Sequence, residues 1–361
     1  MNAASTTVPL AALDGARLVL VCGSGGVGKT TTSAALGMAY ARTGKRVLVM
    51  TVDPARRLAQ ALGIAGITHA ETVVDVADAS GTLTITMLDT KQGWDDLVRR
   101  YAPDRAAADR VLANPLYENI TERFVHSHDY MAMEQLYLSS HDERFDVVIV
   151  DTPPSRRALD VFDAPRRMRE FFSGRLIKWL TLPYRSRALT LASRPFLQIA
   201  DRLLGARFLT DIAEFFTLMQ SMERGFVSRA RAVEDTLRDP STACVVVTSA
   251  EPASVDEATF LVHELPRRGF RPGLVVVNRV IVEMHSADEP PMQDGTVVDD
   301  ELAVFVQAAV DRHLRAAQRH RDSVNALRSM GVPLVKVPDA RGAEATSGLN
   351  EVLAAVETQS P

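Results

Sequence analysis

Cysteine is nearly absent. The 361 residues contain two, Cys22 and Cys244, and each lies in an apolar run, Leu18-Val19-Leu20-Val21-Cys22 and Cys244-Val245-Val246-Val247. With no CxxC pair and no Cys/His cluster, a structural zinc lacks its ligands and nothing calls for an oxidising compartment. Both cysteines read as small buried hydrophobes. No window of membrane-spanning length is free of charge, so an integral membrane segment is not expected. The first residues carry no charged n-region, and Asp14 and Arg17 interrupt their apolar run, which argues against a secretory signal. Charge of one sign never accumulates either: 41 Lys and Arg against 45 Asp and Glu leave a net charge of -4 spread along the chain. That distribution excludes electrostatically driven binding to nucleic acid or an anionic membrane. Together these absences predict a cytoplasmic protein.

What is present is a 46% hydrophobic composition, enough for a sizeable core. Short β-branched runs near 17–22, 46–52, 83–88, 146–151, 243–249, 273–278 and 333–337 alternate with longer helical patterns. Nearly all residues in these runs are apolar, as in parallel strands buried on both faces. The fold class is therefore α/β, with a mostly parallel, doubly covered sheet. The alternation breaks from Pro165 to Asp239, where apolar residues recur at helical spacing. Phe208, Ile212, Phe215, Phe216, Met219, Met222 and Phe226 form one stripe, expected to pack largely on its own sheet. This predicts a core of residues 1–164 and 240–361 carrying an inserted helical subdomain, 165–239. The acidic, Pro- and Gly-containing stretch from His285 to Asp300 reads as an exposed loop before a helix at 301–329.

Gly23-Ser24-Gly25-Gly26-Val27-Gly28-Lys29-Thr30 fits G-x-x-x-x-G-K-[ST], with a strand before it and a helical pattern after it. Glycines let successive backbone N–H groups converge on one anion, and a helix N-terminus adds partial positive charge. Lys29 should then reach the β- and γ-phosphates, while the Thr30 hydroxyl meets Mg²⁺ and Thr31 completes the contact set.

A phosphate loop needs a carboxylate at the end of a neighbouring strand, and Val147-Val148-Ile149-Val150-Asp151 supplies one. Asp151 is expected in the Mg²⁺ shell, followed by a rigid Thr152-Pro153-Pro154 segment able to sense the γ-phosphate. Asp53 also ends a strand, before Pro54. It is the candidate for the metal shell and for orienting or deprotonating the attacking water, although a plain helix N-cap would look the same. Guanine recognition would call for Asn-Lys-x-Asp, whereas this chain has Val277-Asn278-Arg279-Val280. Asn278 can instead hydrogen-bond an adenine edge, which favours ATP over GTP.

These residues resemble the deviant-P-loop ATPases that include the arsenite-pump ATPase and the tail-anchored-protein-targeting ATPase. The motifs at 23–31, 52–58, 150–154 and 277–278 follow that family's order, and the tail from Pro338 to Leu349 looks like its adenine-capping loop. Asp-Pro-Ala-x-Arg-Leu-Ala-Gln-Ala-Leu-Gly at 53–63 and Tyr-Met-Ala-Met-Glu at 130–134 are similar to an actinobacterial-type branch. The resemblance implies a Mg-dependent ATPase releasing ADP and phosphate. Asp53 would belong to a first switch and position the water, Asp151 would begin a second switch, and Pro338 would lie against the nucleotide. It also implies a dimer and a helical subdomain over the C-terminal edge of the sheet. The Phe- and Met-rich stripe there would suit a hydrophobic helical client, since flexible apolar surfaces fit variable helices.

Two departures stand out. The family's signature lysine, which reaches across a dimer, would occupy position 24, where this chain has Ser24. Either Arg56, Arg57, Arg156 or Arg157 substitutes for it, or a lysine-bearing paralogue completes a heterodimer. The clustered cysteines used for arsenite are also missing, and His126 with His128 do not replace them, because alternate residues of a helix face different ways.

Overall fold

The computed structural model describes residues 9–52, 56–64, 69–114, 117, 127–152, 163–173, 215–218, 220–281, 300–339 and 347–357. It divides into two compact units, one of residues 1–87, 144–158 and 240–361, the other of 88–143 and 159–239. The second unit is larger than the insertion read from the sequence, because it also takes 88–143. Alternating strands and helices mark the sheet clearly, but helical periodicity alone does not say which helices leave it.

The first unit is built on eight strands: β1 (Leu18–Cys22), β2 (Arg46–Thr51), β3 (Thr72–Val74), β4 (Thr82–Met87), β5 (Val147–Asp151), β6 (Thr242–Ser249), β7 (Pro272–Val280) and β8 (Leu334–Pro338). Their order is β3-β4-β2-β5-β1-β6-β7-β8. All pairings are parallel except β3 with β4. The central strands β1, β5 and β6 are buried along their whole length, which explains why they lack an alternating polar pattern. β3 escapes the sequence reading because it is three residues long, half exposed and antiparallel at the edge.

α1 (Lys29–Arg42) and α10 (Ser347–Glu357) cover one face of the sheet, where Ala34, Ala35, Leu36, Leu349, Val352 and Val356 join Val19, Val21, Val49 and Ile149 in one core. Arg42 and Glu357 close the far ends of these helices with a 3.0 Å ion pair. α2 (Arg56–Leu62) follows β2, while α8 (Pro252–Arg267) and α9 (Asp300–Arg328) pack on β6 and β7. The expected loop at 285–300 lies outside the described residues, apart from Asp300, which begins α9.

In the second unit the described helices are α3 (Thr90–Tyr101), α4 (Arg105–Leu112), α5 (Ser127–Ser140), α6 (Ala164–Ser173) and α7 (Glu223–Arg238). Asp89 and Asp104 cap α3 and α4 by accepting hydrogen bonds from Gln92 N and Ala107 N. Phe215, Met222 and Phe226 of the apolar stripe are buried. Phe226 packs its ring 5.5 Å from Tyr101 and 6.3 Å from Trp94. Phe226 therefore meets a neighbouring helix of its own unit rather than a sheet, because α3 supplies its aromatic partners. Phe208, Ile212 and Met219 lie outside the described residues.

Within this helical core sits a buried ion pair. Arg229 Nε donates to Glu134 Oε1 at 2.8 Å, and the two side chains are 11% and 3% exposed. The Arg229 guanidinium also lies 4.1 Å from the centre of the Tyr137 ring. Burial raises the Glu134 carboxyl above its ordinary value, with Arg229 opposing the shift. Among the described residues no helix is long and apolar enough to cross a membrane.

Candidate functional site

The chain leaves β1 at Cys22 and turns into α1 through Gly23–Gly28, at the C-terminal edge of the parallel sheet. Three glycines here have positive φ: 149° at Gly23, 78° at Gly26 and 103° at Gly28. At two of them the space is also closed. A Cβ on Gly23 would lie 2.0 Å from the backbone oxygen of Val247 on β6, and one on Gly28 would lie 2.2 Å from Asn278 Nδ2 on β7. The loop is thus bounded by two other strands, which is why glycine is needed beyond its freedom to turn.

Lys29 opens α1 and is 7% exposed. Its ammonium donates to the carbonyls of Gly23 at 3.0 Å and Ser24 at 2.9 Å, so it lies back along the loop. Thr30 Oγ1 donates to Asp151 Oδ2 at 2.6 Å, and Thr51 Oγ1 donates to the same oxygen at 3.3 Å. Asp151 is 1% exposed at the end of β5, between β1 and β2. Thr152 Oγ1 donates to Val21 O at 2.8 Å and ties the chain after Asp151 to the strand that carries the loop. Burial pushes the Cys22 thiol up to about 12, with the charge of Lys29 opposing, so this cysteine is an inert packing group beside the loop.

On the other side of β1, Asn278 is 8% exposed at the end of β7. Its Nδ2 donates to Val27 O at 2.9 Å, and its Oδ1 accepts from Arg279 N at 2.9 Å. Asn278, assigned from the sequence to an adenine edge, thus also braces the phosphate loop directly. Pro338 ends β8 beside Val280. The sheet brings Gly23 to Thr31, Asp151 and Asn278 to one edge. Asp53 lies outside the described residues, as do the side chains of Arg56 and Arg57 and the whole of Arg156 and Arg157.

Thr51 was not singled out by sequence reasoning. Its signal is the β2–β5 register, which sets Thr51 directly beside Asp151, and register between strands a hundred residues apart is not written in either strand alone.

The donor set fits a magnesium nucleotide. Thr30 and Asp151 present hard oxygens side by side, the kind Mg²⁺ prefers, and Mg²⁺ ordinarily keeps waters and phosphate oxygens as its other ligands. Among the described residues no group of three or more His, Cys, Asp or Glu residues could hold a metal ion.

The chain is similar to several known proteins. An uncharacterized protein of Streptomyces coelicolor is 31% identical over 334 residues, covering 91% of this chain and 78% of its own. A protein of Aquifex aeolicus named as an arsenical pump-driving ATPase is 24% identical, over 74% of this chain and 64% of its own. The ATPase get3 of Aspergillus terreus is 27% identical, over 73% of each chain. The family model for the anion-transporting ATPases matches residues 16–296, a span that takes in the phosphate loop, Asp151 and Asn278 together. The chain that builds this loop and its carboxylate therefore belongs to the anion-transporting ATPase family.

Proposed function

We propose that this chain binds ATP with Mg²⁺ at the edge described above and hydrolyses it to ADP and phosphate. The observation that carries the reading is the Thr30–Asp151 contact at 2.6 Å beside a glycine loop whose lysine is already buried against it. Thr30 and Asp151 would hold the metal, which when bound offsets charge on the phosphate oxygens. Lys29 would pair with the β- and γ-phosphates, and loop amides with the α1 N-terminus would cradle the chain of phosphates. Asp53 would orient or deprotonate the attacking water. Because the sequence after Asp151 continues into the second unit at Leu159, nucleotide state would bias the helices there, and a hydrophobic helical client is the partner that coupling suggests. The burial of Phe215, Met222 and Phe226 assigns those three to the unit's own core rather than to a client surface.

The test is steady-state phosphate release. Asp53→Asn should lower turnover about 10²- to 10⁴-fold, the usual worth of a positioned base, while leaving nucleotide affinity near that of the unaltered chain. Turnover unchanged by this substitution would remove Asp53 from the reaction. A second reading is favoured by Ser24, which brings no charge to the loop. The chain would then be a weakly active nucleotide-binding subunit, paired with a lysine-bearing paralogue rather than with itself. Under that reading turnover by the isolated chain would be low and would rise when the paralogue is added.

A further inference from the structure

β7 and β8 pair in register from Val275 beside Leu334 to Val277 beside Lys336, and again at Val280 beside Pro338. Asn278 and Arg279 thus stand opposite one residue of β8, Val337, which makes a β-bulge at the C-terminal edge of the sheet. Arg279 takes a φ of 57°, the left-handed region in which glycine is the ordinary occupant of such a position. The backbone is held there from several directions. Arg279 N donates to Asn278 Oδ1 at 2.9 Å, Asp339 N donates to Val280 O at 3.0 Å, and Ile281 N donates to Nδ1 of the buried His320 at 3.1 Å.

Strained backbone retained in this way clusters at ligand clamps, and a bulge beside a site re-aims a side chain. Arg279 is exposed and its guanidinium takes no hydrogen-bond or ion-pair partner among the described residues. Its neighbour Asn278 reaches the phosphate loop through Val27 O. The strand order β5-β1-β6-β7 puts Asp151 at one end of this edge and Arg279 at the other. Strand spacings of about 4.8 Å put about 14 Å between them across the sheet. The register sets Asp151 level with Leu274, so Arg279 also stands further along its strand by about 16 Å, which leaves the metal and γ-phosphate at the β5 end and the base at the β7 end.

We propose that Arg279 is a purine-contacting residue, its guanidinium lying over the face of the base of the bound nucleotide. This rests on the nucleotide-site reading above. The test is calorimetry on the full chain with two probes in the presence of Mg²⁺, ADP and pyrophosphate, the second of which has no base. Arg279→Gly keeps the left-handed backbone available, so the melting temperature of the ligand-free chain should not fall. ADP affinity should fall about three- to tenfold, the range of a cation–π contact, with pyrophosphate affinity unchanged. Arg279→Lys should fall with glycine, since a compact ammonium does not reproduce a planar stack. Unchanged ADP affinity, or equal losses for ADP and pyrophosphate, would overturn the proposal while sparing the nucleotide site. Failure of the unaltered chain to bind either probe would overturn both.

Discussion

Gly23→Ala should lower the stability of the sheet unit by about 2–5 kcal/mol and abolish nucleotide binding. Two penalties combine at this position. An alanine would sit at φ of 149°, outside the usual range for L side chains, and its Cβ would lie 2.0 Å from the backbone oxygen of Val247. Backbone cannot rotate away as a side chain can, so β1 and β6 would have to part near the paired Cys22 and Val246. The phosphate loop begins at that point and would move with them. Gly26→Ala is the control: its φ is 78° but nothing lies within 4 Å, so only the left-handed penalty of about 1–2 kcal/mol applies. Urea unfolding of the two variants separates steric closure from backbone conformation. Equal losses would show that the β6 contact does not matter.

Arg229→Met should cost the helical unit about 3–5 kcal/mol, because it leaves the buried Glu134 carboxylate without its cation. Among the described residues the partner on α7 is the only charge bonded to Glu134, although Arg100 also lowers its proton affinity and Tyr130 lies nearby. Adding Glu134→Leu should recover most of the loss, since two apolar residues of similar volume replace a desolvated pair. The pH dependence gives an independent check. Burial raises the folded carboxyl above its ordinary 4.5, so the folded state holds that proton more tightly than the unfolded chain does. Its contribution is complete below 4.5 and is lost as pH rises through the folded value. In Arg229→Met that window should widen upward, because the opposing positive charge is gone. Urea midpoints across pH for both variants measure this, and a double variant no more stable than Arg229→Met would contradict it.

The parallel sheet was legible because its strands are buried on both faces and read as unbroken apolar runs. The phosphate loop was legible because Gly-Lys-Thr between a strand and a helix has a chemical use and little structural one. The short edge strand Thr72–Val74 was not, since three half-exposed residues carry no periodicity. Nor was the assignment of α3, α4 and α5 to the helical unit, because an amphipathic helix shows that it has a buried face but not what buries it. The brace from Asn278 to Val27 and the bond from Thr51 to Asp151 depend on strand order and register, which arise only when distant segments pair. Ser24 was read as a missing charge, and the structure adds that its backbone carbonyl holds Lys29 in place.

The central claim is that the turn between β1 and α1 grips a triphosphate, and calorimetric titration of Mg-ATP into the folded chain tests it most directly. The account predicts uptake by the unaltered chain and its loss in Lys29→Ala, with the far-ultraviolet circular dichroism of the two indistinguishable. No heat of binding from a well-folded chain, or binding that survives Lys29→Ala undiminished, would contradict it.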